Sequence, residues 1–316
     1  MTNTELEYLL SNGLTESTEE DIACYDELMS LSLPFTALWE DSDNEVKCFQ
    51  WDSDWEKYLN HRAELIDYEG RREYLPWNLY KNLNLTWLDG YAKAQGTGDC
   101  CAFGHFNSGK ASNLTNAHRT GRVPKEFALS VAYAVARGGG KLSHGSGCNL
   151  NPMSKWAATV GNYWTSDFGK YDVGKYLSKY KKGSQQDANA LKTQSVIIYL
   201  PQATFDHCYA VCAAGFGINM GSSVYPTASV PNGDGLATSS LWKNGAHSMA
   251  LMASYIGQSG KRYIYLENSH GARYAADALN KERQWGCWLD ESHFKRLAES
   301  GFRFGTWYAH LVEMGE

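Results

Sequence analysis

The chain has 316 residues, a net charge of −6, 43% hydrophobic residues and 13% aromatics, the composition of a globular protein with a large core. No run approaches the roughly 18 apolar residues of a membrane span, and the basic residues are scattered without the dense stripe of a nucleic-acid binder. Charge is unevenly spread: residues 1–80 hold 19 acids and 5 bases, and the remainder holds 16 acids and 24 bases. That asymmetry has two readings, an acidic solvated face or an arm that docks on a basic surface of this chain or a neighbour.

The N-terminus, MTNTELEYLLSNG, has neither a basic n-region nor a long apolar h-region, so no secretory signal is expected. Residues 1–30 read as an acidic helix, with Thr15 or Ser17 as caps and Ile22, Tyr25, Leu28 and Met29 on its apolar side. Residues 34–60 carry Trp39, Trp51 and Trp55 among acids and read as an irregular or mixed segment. A linker-like break is expected near Pro76. These features divide the chain into an N-terminal extension, 1–80, and a main domain, 81–316.

From about residue 85 the texture changes. TWLDGYAKAQGTGDCCAFGHF is a Gly-rich loop running into a helix that starts near Cys100, with Asp99 as a candidate cap. Residues 124–137 have Pro at the start and a triple-Gly stop, the pattern of a helix, and 153–163 suggest a shorter one. Strands are expected at 195–200, 208–216, 248–256 and 262–267, then a capped helix at 290–299 and an edge strand in GTWYAHLVEM. Helices early and strands late imply an α+β fold with segregated halves.

Eight cysteines stand at 24, 48, 100, 101, 148, 208, 212 and 287, with no CxxC and no paired metal-finger spacing. Free thiols are the expectation, and no metal or organic cofactor is implied. Thiol catalysis needs a thiolate stabilised by a helix N-terminus and a histidine, a third group to hold that histidine, and donors facing the oxyanion. Cys100 sits after the loop at a helix start. His247 begins one strand-like run and Asn268 ends the next, so antiparallel pairing would bring them together. Gln95 could aim its amide at the same point.

QGTGDCCAF resembles the active-site segment of papain-like cysteine proteases. AHSMALMASY resembles that family's segment at the catalytic His, and YIYLENSHG the segment at the catalytic Asn, which usually reads Asn-Ser-Trp-Gly. GCNLN at 147–151 resembles the family's cleft-lining Gly-Cys-Asn-Gly-Gly. The order and the Cys100–His247 spacing of 147 residues agree with the family's roughly 130–150. The resemblance implies a papain-like fold: a helical half carrying the Cys helix, packed on an antiparallel β half carrying His and Asn. It implies a thiol peptidase acting on peptide or isopeptide bonds, with Cys100 as nucleophile, His247 as base, Asn268 as orienting amide and Gln95 at the oxyanion.

The match departs from the family in three places. Counting six residues from Gln95 lands on Cys101, whereas matching Ala102-Phe103 lands on Cys100; the second register is preferred because helix packing fixes an apolar pair. The family's upstream disulfide cysteine is replaced by Thr97-Gly98. Its shielding Trp is His270, which predicts a wetter His–Asn hydrogen bond. GTGDC, AVARGGGK and KWAATVG also resemble papain-like proteins of tailed bacteriophages, several of them associated with virions. That second resemblance implies a place in the host cytoplasm or the virion. It also raises an alternative function, a virion component that keeps the fold without catalysis, docked to a virion or to its own copies through residues 1–80.

Overall fold

The computed structural model describes residues 48–50, 53–66, 71–82, 100–120, 150, 154, 195–200, 203–271, 273–279, 285–301 and 307–312. The calls for helices at 1–30, 124–137 and most of 153–163, and the loop with Gln95 and Asp99, lie outside the described residues. The described elements are β1 (Cys48–Gln50), α1 (Ser53–Ile66), α2 (Pro76–Asn82), α3 (Cys100–Thr120), β2 (Ser195–Leu200), α4 (Phe205–Ala213), β3 (Gly217–Pro231), β4 (Ala237–Ile256), β5 (Arg262–Glu267), β6 (Gly286–Leu289), α5 (Glu291–Gly301) and β7 (Trp307–Val312).

Strands β1 to β7 form one sheet in the order β1-β2-β7-β3-β4-β5-β6. Every neighbouring pair except parallel β1–β2 is antiparallel. The class is therefore α+β, with the helix that begins at Cys100 lying on an antiparallel sheet that carries His247 and Asn268.

Around β5 the sheet is covered on both faces, because its side chains alternate between two apolar layers. On β5, Ile264 and Leu266 enter a cluster with Leu251, Phe216, α4, and Phe294 and Leu297 of α5. Tyr263 and Tyr265 point the other way, into a cluster with Trp77, Trp288, Ala250 and Ala111 of α3. Tyr58 and Leu59 of α1 and Trp77 of α2 belong to these clusters, so part of the acidic N-terminal segment shares the core of the remainder. Arg62 of α1 donates to Ala214 O at 3.1 Å and lies over the Phe216 ring.

Three local readings are corrected. Pro76 opens α2 inside the core rather than a linker; the first helical turn tolerates a residue without N–H, and Trp77 Nε1 anchors the turn on Leu279 O at 2.7 Å. The segment expected as a strand at 208–216 is mostly helix α4. Thr204 Oγ1 accepts from the His207 N–H at 3.1 Å, and Gly215 takes a left-handed φ of 77° at its end, where Gly is unstrained. Strand β7 is not an edge: it lies between β2 and β3.

Strands β2 and β5 and helix α5 match their expected positions, whereas β4, expected at 248–256, begins at Ala237, so His247 lies within the strand and not at its start. Helix α5 is capped by Asp290, whose carboxylate accepts the His293 N–H at 3.0 Å. Asn113, in one of the chain's two glycosylation sequons, is fully buried in α3.

Helix α3 approaches the sheet closely through two glycines. A Cβ on Gly104 would collide with Asn219 Oδ1, lie 2.6 Å from Ser248 Oγ and 3.1 Å from Met249 O. A Cβ on Gly217 of β3 would strike the Ser108 backbone. Ser248 Oγ donates to Asn219 Oδ1 at 2.8 Å, so Gly104 rests on a closed polar bridge one residue from His247. One helical turn separates Gly104 from Cys100, and this contact sets how near Cys100 comes to the sheet.

Candidate active site

Cys100 is the first residue of α3. First-turn N–H groups have no partner within a helix and carry the positive end of its dipole, which favours negative charge on the sulfur or on a nearby oxyanion. Cys100 is half-buried, whereas Cys101 is buried at 3% exposure. The Cys100 thiol lies within interaction range of the His247 ring. The Cys101 thiol and burial push the Cys100 pKa up, and His247 pulls it down. The net direction is upward.

His247 is delivered by a bulge. Ser222 pairs with His247 and Val224 with Asn244, so one residue of β3 faces two of β4, Gly245 and Ala246. Such a bulge re-aims the side chain that follows it. A Cβ on Gly245 would lie 3.3 Å from the Tyr225 ring, so the bulge also needs a small residue.

Asn268 follows β5, beside β4 through the Ala250–Glu267 pair. His247 Nε2 and Asn268 Oδ1 are 2.7 Å apart. Asn268 Nδ2 donates to Tyr274 Oη at 2.7 Å and to Pro226 O at 3.3 Å, and Tyr274 Oη donates to the same carbonyl at 2.7 Å. Pro226 O can only accept, so the amide orientation is determined: nitrogen faces Pro226 and oxygen faces His247. Nε2 must then carry the hydrogen, which leaves the Nδ1 lone pair for the Cys100 thiol. This is the tautomer that proton abstraction from Cys100 requires.

The expected wetting of the His–Asn bond does not occur. His247 is 7% and Asn268 1% exposed. The His270 ring stacks on His247 with centroids 4.3 Å apart and planes 17° apart, and Tyr225 packs against both rings at 4.9 and 5.2 Å. Two smaller rings thus cover the bond that one indole covers in the family resembled. Burial, with Arg273 and Lys243 nearby, holds the His270 pKa below its ordinary value, so His270 stacks as a neutral ring at neutral pH.

The structure brings together Cys100, His247 and Asn268; Gln95 lies outside the described residues, and of GCNLN only Leu150 is described, buried at 6% exposure. Tyr225, Tyr274, the Pro226 carbonyl and Gly104 were not foreseen. None belongs to a motif, and each acts through a contact that only the folded chain creates. Among the described residues no group of three or more His, Cys, Asp or Glu is placed to hold a metal, and no helix is long and apolar enough to cross a membrane.

No family model matches the chain, and no curated protein matches it. Among solved structures, it is similar to xylellain, a cysteine protease from Xylella fastidiosa, at 16% identity and a TM-score of 0.49, covering 72% of this chain and 83% of that one. It is similar to the bromelain protease from Ananas comosus in complex with the E64 inhibitor, at 14% identity and a TM-score of 0.42, covering 72% and 97%. A digestive procathepsin L 3 of Tenebrio molitor larval midgut matches over 97% of both chains at 11% identity and a TM-score of 0.42. At these values the likeness carries no weight for activity, and the chemistry rests on the site's own geometry.

Proposed function

We propose that this chain is a papain-like thiol peptidase that hydrolyses peptide or isopeptide bonds, with Cys100 as nucleophile, His247 as base and acid, and Asn268 as the orienting amide. The observation that carries the reading is the relay itself: Asn268, oriented by Pro226 O and Tyr274, holds His247 as the Nε2–H tautomer with Nδ1 free to serve the half-buried thiol at a helix N-terminus.

In the reaction, Nδ1 takes the thiol proton as sulfur bonds to the carbonyl carbon. The oxyanion forms at the first turn of α3, and Gln95 is assigned as a further donor from its place in the sequence motif alone. Nδ1–H then protonates the amine as the C–N bond breaks, and water, deprotonated by Nδ1, releases the acyl group from sulfur.

The raised pKa of the Cys100 thiol is the one observation favouring the second reading, a papain-fold structural component without turnover. The comparisons lend the bacteriophage resemblance no support. An epoxide warhead tests the choice: the peptidase reading expects a covalent adduct at Cys100 that is lost in His247→Ala. A folded wild-type protein that forms no adduct contradicts it.

A further inference from the structure

On the peptidase reading, the leaving amine receives its proton from His247, so the leaving half of the substrate runs along the His247 side of the thiol. The next groups on that side are His270, stacked on His247, and two exposed cations, Lys243 and Arg273. Lys243 is placed by the hairpin: it pairs with Tyr225 across β3–β4, and the Tyr225 ring touches both His247 and His270. Arg273 is placed by a tight turn in which its N–H donates to Gly271 O at 2.9 Å, just after His270. Among the described residues, no carboxylate lies within ion-pair distance of Lys243 or Arg273.

We infer that Lys243 and Arg273 form an anion-recognising subsite for the leaving half of the substrate. Its ligand is a carboxylate within the first two residues after the scissile bond. That carboxylate belongs either to an Asp or Glu side chain or to the free C-terminus of a short leaving segment. Burial first, then Arg273 and Lys243, lowers the His270 pKa, which places both cations within electrostatic range of the ring stacked on His247. A carboxylate docked between them offsets that field and orients the leaving amine toward Nδ1.

The test uses the full chain and peptides matched except after the scissile bond: acidic side chain with amidated C-terminus, free C-terminal acid with neutral side chains, and Lys with amidated C-terminus. One or both carboxylate peptides are expected to exceed the Lys peptide in kcat/KM. A gain with the first places the carboxylate on a side chain, and a gain with the second places it at the chain end. Exposed ion pairs are individually weak, so the double variant Lys243→Gln, Arg273→Gln should lower the preference about 3- to 10-fold, and added salt should lower it in wild type.

A second readout does not need turnover. The ratio of Cys100 alkylation rates by iodoacetate and iodoacetamide, each variant taken against itself, should fall several-fold in the double variant. Failure to cleave any peptide with this ratio still falling would sink the peptidase reading and leave the subsite standing. An unchanged ratio, or an acidic preference that survives in the double variant, overturns the subsite.

Discussion

Gly104→Ala separates what stabilises α3 from what aligns the site. In a helix interior, Ala is favoured over Gly by about 1 kcal/mol, so propensity alone predicts a more stable protein. The structure predicts the opposite. The added Cβ meets Asn219 Oδ1, Ser248 Oγ at 2.6 Å and the backbone Met249 O at 3.1 Å. The Asn219 and Ser248 side chains could turn away only by breaking their 2.8 Å hydrogen bond, and Met249 O cannot rotate at all. Relief therefore needs α3 to withdraw. Overpacking of this kind costs about 1–3 kcal/mol, which leaves a net loss of up to about 2 kcal/mol after the propensity gain. Cys100 moves with the helix, and a displacement near 1 Å costs on the order of 100-fold in reactivity. Denaturant melts and the second-order rate of Cys100 alkylation measure both quantities. A variant stabilised by about 1 kcal/mol with unchanged alkylation would show that Gly104 is not the spacer.

Other perturbations address single links. Asn268→Ala removes the acceptor of the His247 Nε2–H and should lower the rate of Cys100 modification by about 10- to 100-fold, the equivalent of one buried hydrogen bond of about 1–3 kcal/mol; the alkylation rate against pH checks it. Cys101→Ala removes the leading cause of the raised Cys100 pKa. It should increase thiolate content and speed alkylation at neutral pH, and a slower rate would assign Cys101 a supporting role instead. His270 should make stability pH-dependent. Its folded pKa lies below the unfolded value near 6.5, so between the two the unfolded chain holds more protons and stability falls as pH drops below about 6.5. His270→Phe keeps a stacked ring and should flatten that dependence in melts from pH 7.5 to 5.

The sequence was most legible where local chemistry decides the outcome. The α3 start at Cys100 follows a Gly-rich loop, α5 follows its Asp290 cap, and β5 is a β-branched and aromatic run between turn residues. It was least legible where a continuous apolar run allows both helix and strand. In CYAVCAAGF the burial of both faces erases the period, and the cap at Thr204 was the signal to weigh. Pro76 was misread because Pro marks helix starts as well as linkers. The candidate trio was legible because it sits in recognisable segments. Its supports were not: Tyr225 and Pro226 come from β3 and Tyr274 from a loop, and no spacing along the chain announces that Tyr225 covers His247 while Pro226 and Tyr274 hold Asn268. The substitution of Trp by His at 270 suggested an open site, whereas Tyr225, invisible to any motif, closes it.

The central claim is that Cys100 is a thiol activated by His247. Limiting iodoacetamide at neutral pH, with adducts mapped by mass spectrometry, tests it directly. Cys208, Cys212 and Cys287 are buried away from reagent, whereas Cys100 is partly exposed and faces His247, so the three buried thiols should react slowly. Cys100 should be modified first and fastest, and His247→Ala should slow it by about 100-fold or more. First labelling at Cys101, equally slow labelling throughout, or a Cys100 rate indifferent to His247→Ala would contradict the claim.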